Sequence, residues 1–93
     1  MLVGIVFRVH ALQRMFERRI TAEDVRSMLE TGETIEHYAD DTPYPSRLML
    51  GWQGGRPLHV VVADNQEGNE LIVISVYEPN PALWEPGFKR RKP

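Results

Sequence analysis

Apolar residues at helical spacing predict a helix over residues 8–19. Leu12, Met15 and Phe16 follow the i, i+3, i+4 rule and form one apolar stripe along it. His10 and Arg14 fall on the other side of the helix, at about 100° per residue. The first helix is therefore expected to bury the stripe and to present a polar face.

A second helix is predicted between Thr21 and Gly32. Thr21 is a suitable N-cap, and Asp24 lies three residues later in the position of a capping-box partner. Gly32 is placed to end the helix as its C′ residue. The predicted buried stripe consists of Ala22, Val25, Met28 and Leu29.

Four strands are predicted after the helices, over residues 33–38, 47–53, 57–64 and 70–78. Residues 39–46 contain two prolines and are read as a loop, and Gly54-Gly55 supplies a tight turn. The last two strands are apolar on both faces, which places them at the centre of a sheet. Short connections indicate an antiparallel meander.

The predicted fold is α+β, a single domain over residues 1–93 with two helices packed on one face of a four-stranded antiparallel sheet. Residues 1–7 form an N-terminal segment, and residues 79–93 form a proline-rich, basic tail. We expect Trp84 and Phe88 to anchor this tail and to bring residues 89–92 near the polar face of the first helix. The expected core includes Leu12, Phe16, Val25, Leu29, Val60, Ile72 and Ile74.

Composition narrows the class of protein. The chain has 93 residues, 42% of them hydrophobic, and no cysteine, which excludes a disulfide scaffold and a thiolate zinc site. The apolar run over residues 1–7 is too short to span a bilayer and lacks the features of a signal peptide. We therefore expect a soluble cytoplasmic protein without a membrane partner.

The charges are unevenly distributed around a net charge of −2. Five arginines fall between Arg8 and Arg26, and residues 89–92 are all basic, whereas residues 30–41 carry acids and no cation. Arginine suits phosphate and carboxylate. The distribution fits either solvated faces with a soluble tail, or a basic patch for RNA on a protein of negative total charge.

No familiar catalytic motif is present, and the three histidines are too scattered to predict a metal site. We therefore expect neither a metal nor a cofactor. Metal-free RNA cleavage needs only a base, an acid and a cation that stabilises the charged phosphorane. His10 and Arg14 share a helical face, His59 lies in a central apolar strand, and Tyr77 ends the neighbouring strand.

Each of these residues also has a structural interpretation. His10 could decorate an exposed helix, Tyr77 could be a packing residue, and Arg14 and Arg18 could pair with carboxylates such as Glu17. His59 could be a hydrogen-bonded core residue. A histidine that proves wholly buried and bonded to the main chain is to be removed from the catalytic candidates, because a catalytic group has to reach its substrate.

Short motifs are spread over the chain. Residues 10–21 read HALQRMFERRIT, and Asp24-Val25 and Gly32 follow. The later motifs are Tyr38, DTPYPS at 41–46, Gly51, RPLHVV at 56–61, VYEP at 76–79, and Trp84, Phe88 and Arg90-Arg91. In this order and spacing they resemble a small prokaryotic family, domain of unknown function 4258, from Phe7 onwards.

The resemblance implies a class of protein. Several members are encoded beside antitoxin-like proteins with a zinc ribbon and a helix-turn-helix, which implies such a partner. The order of helices and sheet also resembles the compact ribonucleases that include RelE-type toxins, barnase and colicin nucleases. The family's usual threonine before the valine-tyrosine pair is Ser75 here, which keeps the hydroxyl. The polar signature carries over to His10, Arg14, Arg18, Arg56, His59 and Tyr77, with Arg90 or Arg91 in the tail.

Three hypotheses follow. In the first, the chain is a toxin-like, metal-independent endoribonuclease, with His10 or His59 as base or acid, Arg14, Arg18 and Arg56 on phosphate, and Tyr77 positioning substrate or donating a proton. In the second, it is a non-catalytic module that binds a protein partner, RNA or the ribosome. In the third, it is a small housekeeping domain. The first hypothesis expects His10, His59 and the arginines to share one cleft. If they lie on different faces, the second is favoured.

Overall fold

The computed structural model describes residues 3–93, so Met1 and Leu2 of the predicted N-terminal segment lie outside the described residues. Both predicted helices form. One strand precedes them and four strands follow. The elements are β1 (Gly4–Phe7), α1 (Val9–Glu17), α2 (Ala22–Thr31), β2 (Glu33–Tyr38), β3 (Ser46–Gln53), β4 (Arg56–Asn65) and β5 (Glu70–Tyr77).

The sheet has the order β1-β5-β4-β3-β2. The predicted antiparallel meander is confirmed for β2 to β5. The expectation of a purely antiparallel four-stranded sheet is wrong at one edge, because β1 pairs parallel to β5 and makes a five-stranded mixed sheet. β1 has only four residues, and its partner strand lies at the other end of the chain, so no local pattern announces the pairing.

The start of α2 is as predicted, and its end differs from the prediction in the conformation of Gly32. Thr21 and Asp24 exchange side-chain-to-main-chain hydrogen bonds of 2.8 and 3.0 Å, which completes the predicted capping box. Gly32 follows the helix, but its φ of −75° is not the left-handed conformation expected of a C′ glycine. Glycine is required there by a close approach, since a Cβ would lie 2.8 Å from the main-chain oxygen of Leu50 and even closer to that of Met28.

Replacing Gly32 with alanine should lower the free energy of unfolding by about 1–3 kcal/mol, because two main-chain oxygens would have to move. Gly55 is the matched control, since a Cβ there meets nothing within 4 Å. Urea unfolding of the two variants measures the difference. Equal stabilities would show that the α2–β3 contact adjusts without cost.

The core lies between the helices and one face of the sheet, and it corrects the predicted stripe of α1. Ala11 and Met15, one turn apart, are the buried residues of this helix. Leu12 and Phe16 are 46% and 88% exposed, so their assignment to the core is wrong. The apolar arc of α1 is wider than the surface of the sheet that can cover it.

The remaining predicted core residues are placed as follows. Val25 and Val60 are fully buried, and Leu29 packs partly buried against the core. Ile72 is buried, and Ile74 is only half-buried because it lies at an irregularity of the β4–β5 register.

The tail docks on the body through the predicted aromatic anchors. Trp84 is buried, and the Phe88 ring lies edge-on to the Trp52 ring at 6.2 Å. The basic run does not lie where it was expected, because Lys89 pairs with Glu33 at the start of β2 (3.0 Å) and Arg91 lies over Trp84. No helix in residues 3–93 is long and apolar enough to cross a membrane.

Candidate functional site

His59 is fully buried in β4, and both of its ring nitrogens are engaged. Nε2 lies 2.8 Å from the main-chain oxygen of Phe88, and Nδ1 lies 3.2 Å from the hydroxyl of Tyr77. Since a carbonyl oxygen can only accept, Nε2 carries the proton, and Nδ1 accepts from the hydroxyl of Tyr77. Burial lowers the pKa of His59, and the nearby charge of Arg91 lowers it further. The imidazole is therefore neutral and holds the phenol in place.

Two aromatic rings pack against the imidazole of His59. The Tyr77 and Trp84 rings meet it edge-on, with centroids 5.2 and 4.5 Å away. The Arg91 guanidinium lies 4.7 Å from the centroid of the Trp84 ring, a cation–π contact. The tail thus holds a cation over Trp84, and the charge of this cation acts on Tyr77, which is half-buried at the end of β5.

β2 contributes two further polar side chains to this region. The Tyr38 hydroxyl donates a 2.5 Å hydrogen bond to Oε2 of Glu36. This bond is the largest cause that raises the pKa of Tyr38, whereas the charge of Arg91 acts in the opposite direction. Burial raises the pKa of Tyr77, on which the charges of Arg91 and Glu36 also act. Both phenols therefore stay protonated near neutral pH. We refer to Glu36, Tyr38, Tyr77 and Arg91 as the sheet-face cluster.

The sheet register places the strand residues of this cluster on one face of the sheet. Glu36 pairs with Leu48, which pairs with Val61, which pairs with Ser75, so a single row crosses four strands. Tyr77 lies opposite His59 in the next pairing on the same face. Because Leu48 is buried in the middle of this row, the polar groups that a ligand could contact lie toward its two ends, at β2 and β5.

His10 lies elsewhere, in a cleft of about 490 Å³. Arg8, Asp41 and Tyr44 also line this cleft, and Ala63 and Ile74 contribute its apolar side. None of the other seven predicted site residues lines it. His10 and His59 therefore do not share a cleft.

The predicted phosphate-binding arginines are also separated. The Arg56 guanidinium donates to the main-chain oxygens of Arg18 and Arg19 and to the side chain of Gln53, and it pairs with Glu78 at 3.6 Å. Arg56 links the β3–β4 hairpin to the end of α1. Its guanidinium N–H groups are therefore used within the protein. Arg14 on α1 and Arg18 directly after this helix are exposed, and Arg90 is exposed in the tail.

The structure thus brings together three of the eight predicted residues: His59, Tyr77 and Arg91. His59 meets the condition for removal from the catalytic candidates, since it is wholly buried and bonded to the main chain. It becomes a positioning residue for Tyr77. Sequence reasoning missed Glu36 and Tyr38 as site residues, although two polar residues at i, i+2 in a strand are a signal that they share a face.

Within residues 3–93, no group of three or more histidine, aspartate or glutamate side chains is arranged to hold a metal ion.

Comparison with known proteins gives one match. The sequence profile of the family described as Domain of unknown function (DUF4258) matches residues 7–78. No curated protein and no solved structure matches the chain.

Proposed function

The chain belongs to the DUF4258 family, and we propose that it is a toxin-like, metal-independent endoribonuclease whose centre is the sheet-face cluster. The observation that carries this proposal is the position of Arg91, which lies 4.7 Å from the centroid of the Trp84 ring while its charge acts on both Tyr77 and Tyr38. A carboxylate, two protonated phenols and a guanidinium supply the base, the acid and the cation that phosphodiester cleavage requires.

The reaction follows from these groups. Glu36 removes the proton of a ribose 2′-hydroxyl, and the 2′ oxygen attacks the neighbouring phosphorus. The bond from phosphorus to the 5′ oxygen breaks, and the Tyr77 hydroxyl turns away from Nδ1 of His59 and gives the leaving oxygen its proton. Arg91 stabilises the charge that develops on the phosphorane, where a preorganised cation is most effective. The products are a 2′,3′-cyclic phosphate and a 5′-hydroxyl.

Two further considerations support this function. The order of two helices followed by an antiparallel meander is the arrangement that resembles RelE-type toxins and barnase. Ribonuclease toxins act in the cytoplasm on free or ribosome-bound RNA. The family resemblance also implies an antitoxin partner that carries a zinc ribbon and a helix-turn-helix. Arg90 and Lys92, exposed on either side of Arg91, are placed to contact flanking phosphates.

The test is cleavage of free and ribosome-bound RNA by the purified chain, without a partner and in EDTA. We expect cleavage to persist in EDTA and to yield cyclic-phosphate ends. His10→Ala is the informative variant: it should retain turnover if the sheet-face cluster is the centre. Loss of turnover in His10→Ala with unchanged stability would move the centre to the His10 cleft, and loss in EDTA would exclude the metal-free mechanism.

A second function, a non-catalytic module that binds RNA or a protein partner, is favoured by the separation of His10, Arg14, Arg18 and Arg56 from His59. The two functions differ in one measurement. A binding module should hold RNA with an affinity that falls as salt rises, because counterions are released, and it should leave the RNA intact.

A further inference from the structure

Three apolar side chains of α1 face solvent. Val9, Leu12 and Phe16 are 68%, 46% and 88% exposed. Their spacings of three and four residues place them on one face of the helix, beside the face that Ala11 and Met15 bury. We call these three residues the α1 stripe. A contiguous exposed apolar face of this kind marks an interaction surface.

An arginine flanks each end of this stripe, since Arg8 directly precedes Val9 and the main-chain N–H of Arg19 bonds to the oxygen of Phe16, whereas Arg14 lies on the opposite side of the helix. Arg8, Arg14, Arg18 and Arg19 form no side-chain hydrogen bond or ion pair within residues 3–93. Glu17 is the carboxylate of residues 8–19. The four arginines and Glu17 therefore give this segment a net charge of +3. Other cations of the chain, such as Arg47 and Lys89, are paired with carboxylates.

We propose that the α1 stripe is a docking surface for an acidic amphipathic segment of a partner protein. The apolar side of the segment covers Val9, Leu12 and Phe16, and its carboxylates approach Arg8 and Arg19 at the two ends of the stripe. Charge complementarity of this kind steers encounter and selects the partner. The surface is separate from the sheet-face cluster, so the inference does not depend on the proposed reaction.

A second copy of the chain fits the stripe poorly. A two-fold dimer through α1 would bring two segments of charge +3 together. A head-to-tail contact between copies would have to close into a ring or continue as an open filament. A partner with free carboxylates meets neither obstacle.

The probe is a fluorescein-labelled helical peptide with leucines at i, i+3, i+4 and i+7 and glutamates on the other face, followed by fluorescence anisotropy. We expect the full chain to bind it, and to bind neither a scrambled peptide of the same composition nor one with lysines in place of the glutamates. Binding should weaken as salt rises, since the arginines are exposed.

Phe16→Ser and Leu12→Ser should each weaken binding of the peptide about 10-fold. Both side chains are exposed, so the unfolding transition should stay unchanged, and Leu83→Ser at a similarly exposed tail residue (57%) is the matched control. The proposal is overturned if the scrambled or lysine peptide binds equally well, or if Phe16→Ser leaves binding unchanged. It is also overturned if Phe16→Ser abolishes RNA binding or a dimer seen by sedimentation while peptide binding persists.

Discussion

Replacing Arg91 with alanine should lower the single-turnover rate of RNA cleavage about 10²- to 10³-fold, the usual effect of removing one preorganised donor from a developing oxyanion. Arg91 is the cation that lies over Trp84 and whose charge acts on the two phenols. RNA affinity should fall much less than the rate, because the interaction strengthens as charge develops in the transition state. Rates are measured in EDTA, and affinity by anisotropy on a 2′-deoxy analogue that cannot be cleaved.

Arg90→Ala is the matched control, because Arg90 precedes Arg91 in the same basic run and is exposed. It should change the rate only a few-fold and should lower the salt dependence of RNA binding. Tyr77→Phe tests the proton donor: it should reduce the rate while keeping the ring that packs on His59. If Arg91→Ala and Arg90→Ala have equal effects on rate and on affinity, the tail contributes only general charge and the centre lies elsewhere.

Replacing His59 with alanine should lower the free energy of unfolding by about 3 kcal/mol. The change opens a cavity beside the rings of Trp84 and Tyr77, and it leaves the oxygen of Phe88 and the hydroxyl of Tyr77 without their partner. Because the Phe88 contact holds the tail, main-chain amides over residues 84–92 should exchange faster in this variant. Denaturant unfolding and hydrogen exchange measure the two effects.

His37→Ala is the control, since His37 is exposed on β2. It should leave both stability and exchange of the tail as they are. If His59→Ala folded with full stability and a protected tail, the imidazole would not be what fastens residues 84–92 to the sheet.

The burial of His59 fixes the direction in which stability changes with pH. Burial lowers the pKa of His59 in the folded chain below its ordinary value of about 6.5. As the pH falls through this value, the unfolded chain takes up a proton that the folded chain does not, so stability is lost on the acid side. This one group contributes a slope of up to about 1.4 kcal/mol per pH unit. His59→Gln should be less stable at pH 7 and should show a shallower slope between about pH 7 and 5.

The sequence by itself determined the local structure. The capping box of Thr21 and Asp24, the turn at Gly54 and the boundaries of β2 to β5 agree with the sequence within about two residues. Each depends on residues that are close in the chain. Docking of the tail was also readable, because two aromatic residues in a proline-rich segment need apolar surface to cover them.

Only the tertiary structure decided which surfaces meet. The sequence showed a half-apolar α1 but not that the sheet covers Ala11 and Met15 and leaves Phe16 exposed. It placed His59 in a central strand but not under the Phe88 carbonyl, which changes its role from catalysis to positioning. Arg91 lies over Trp84 because the tail folds back over the sheet, and from there its charge acts on Tyr77 and Tyr38. Such contacts join residues far apart in the chain, and their energies depend on burial and distance that no local pattern contains.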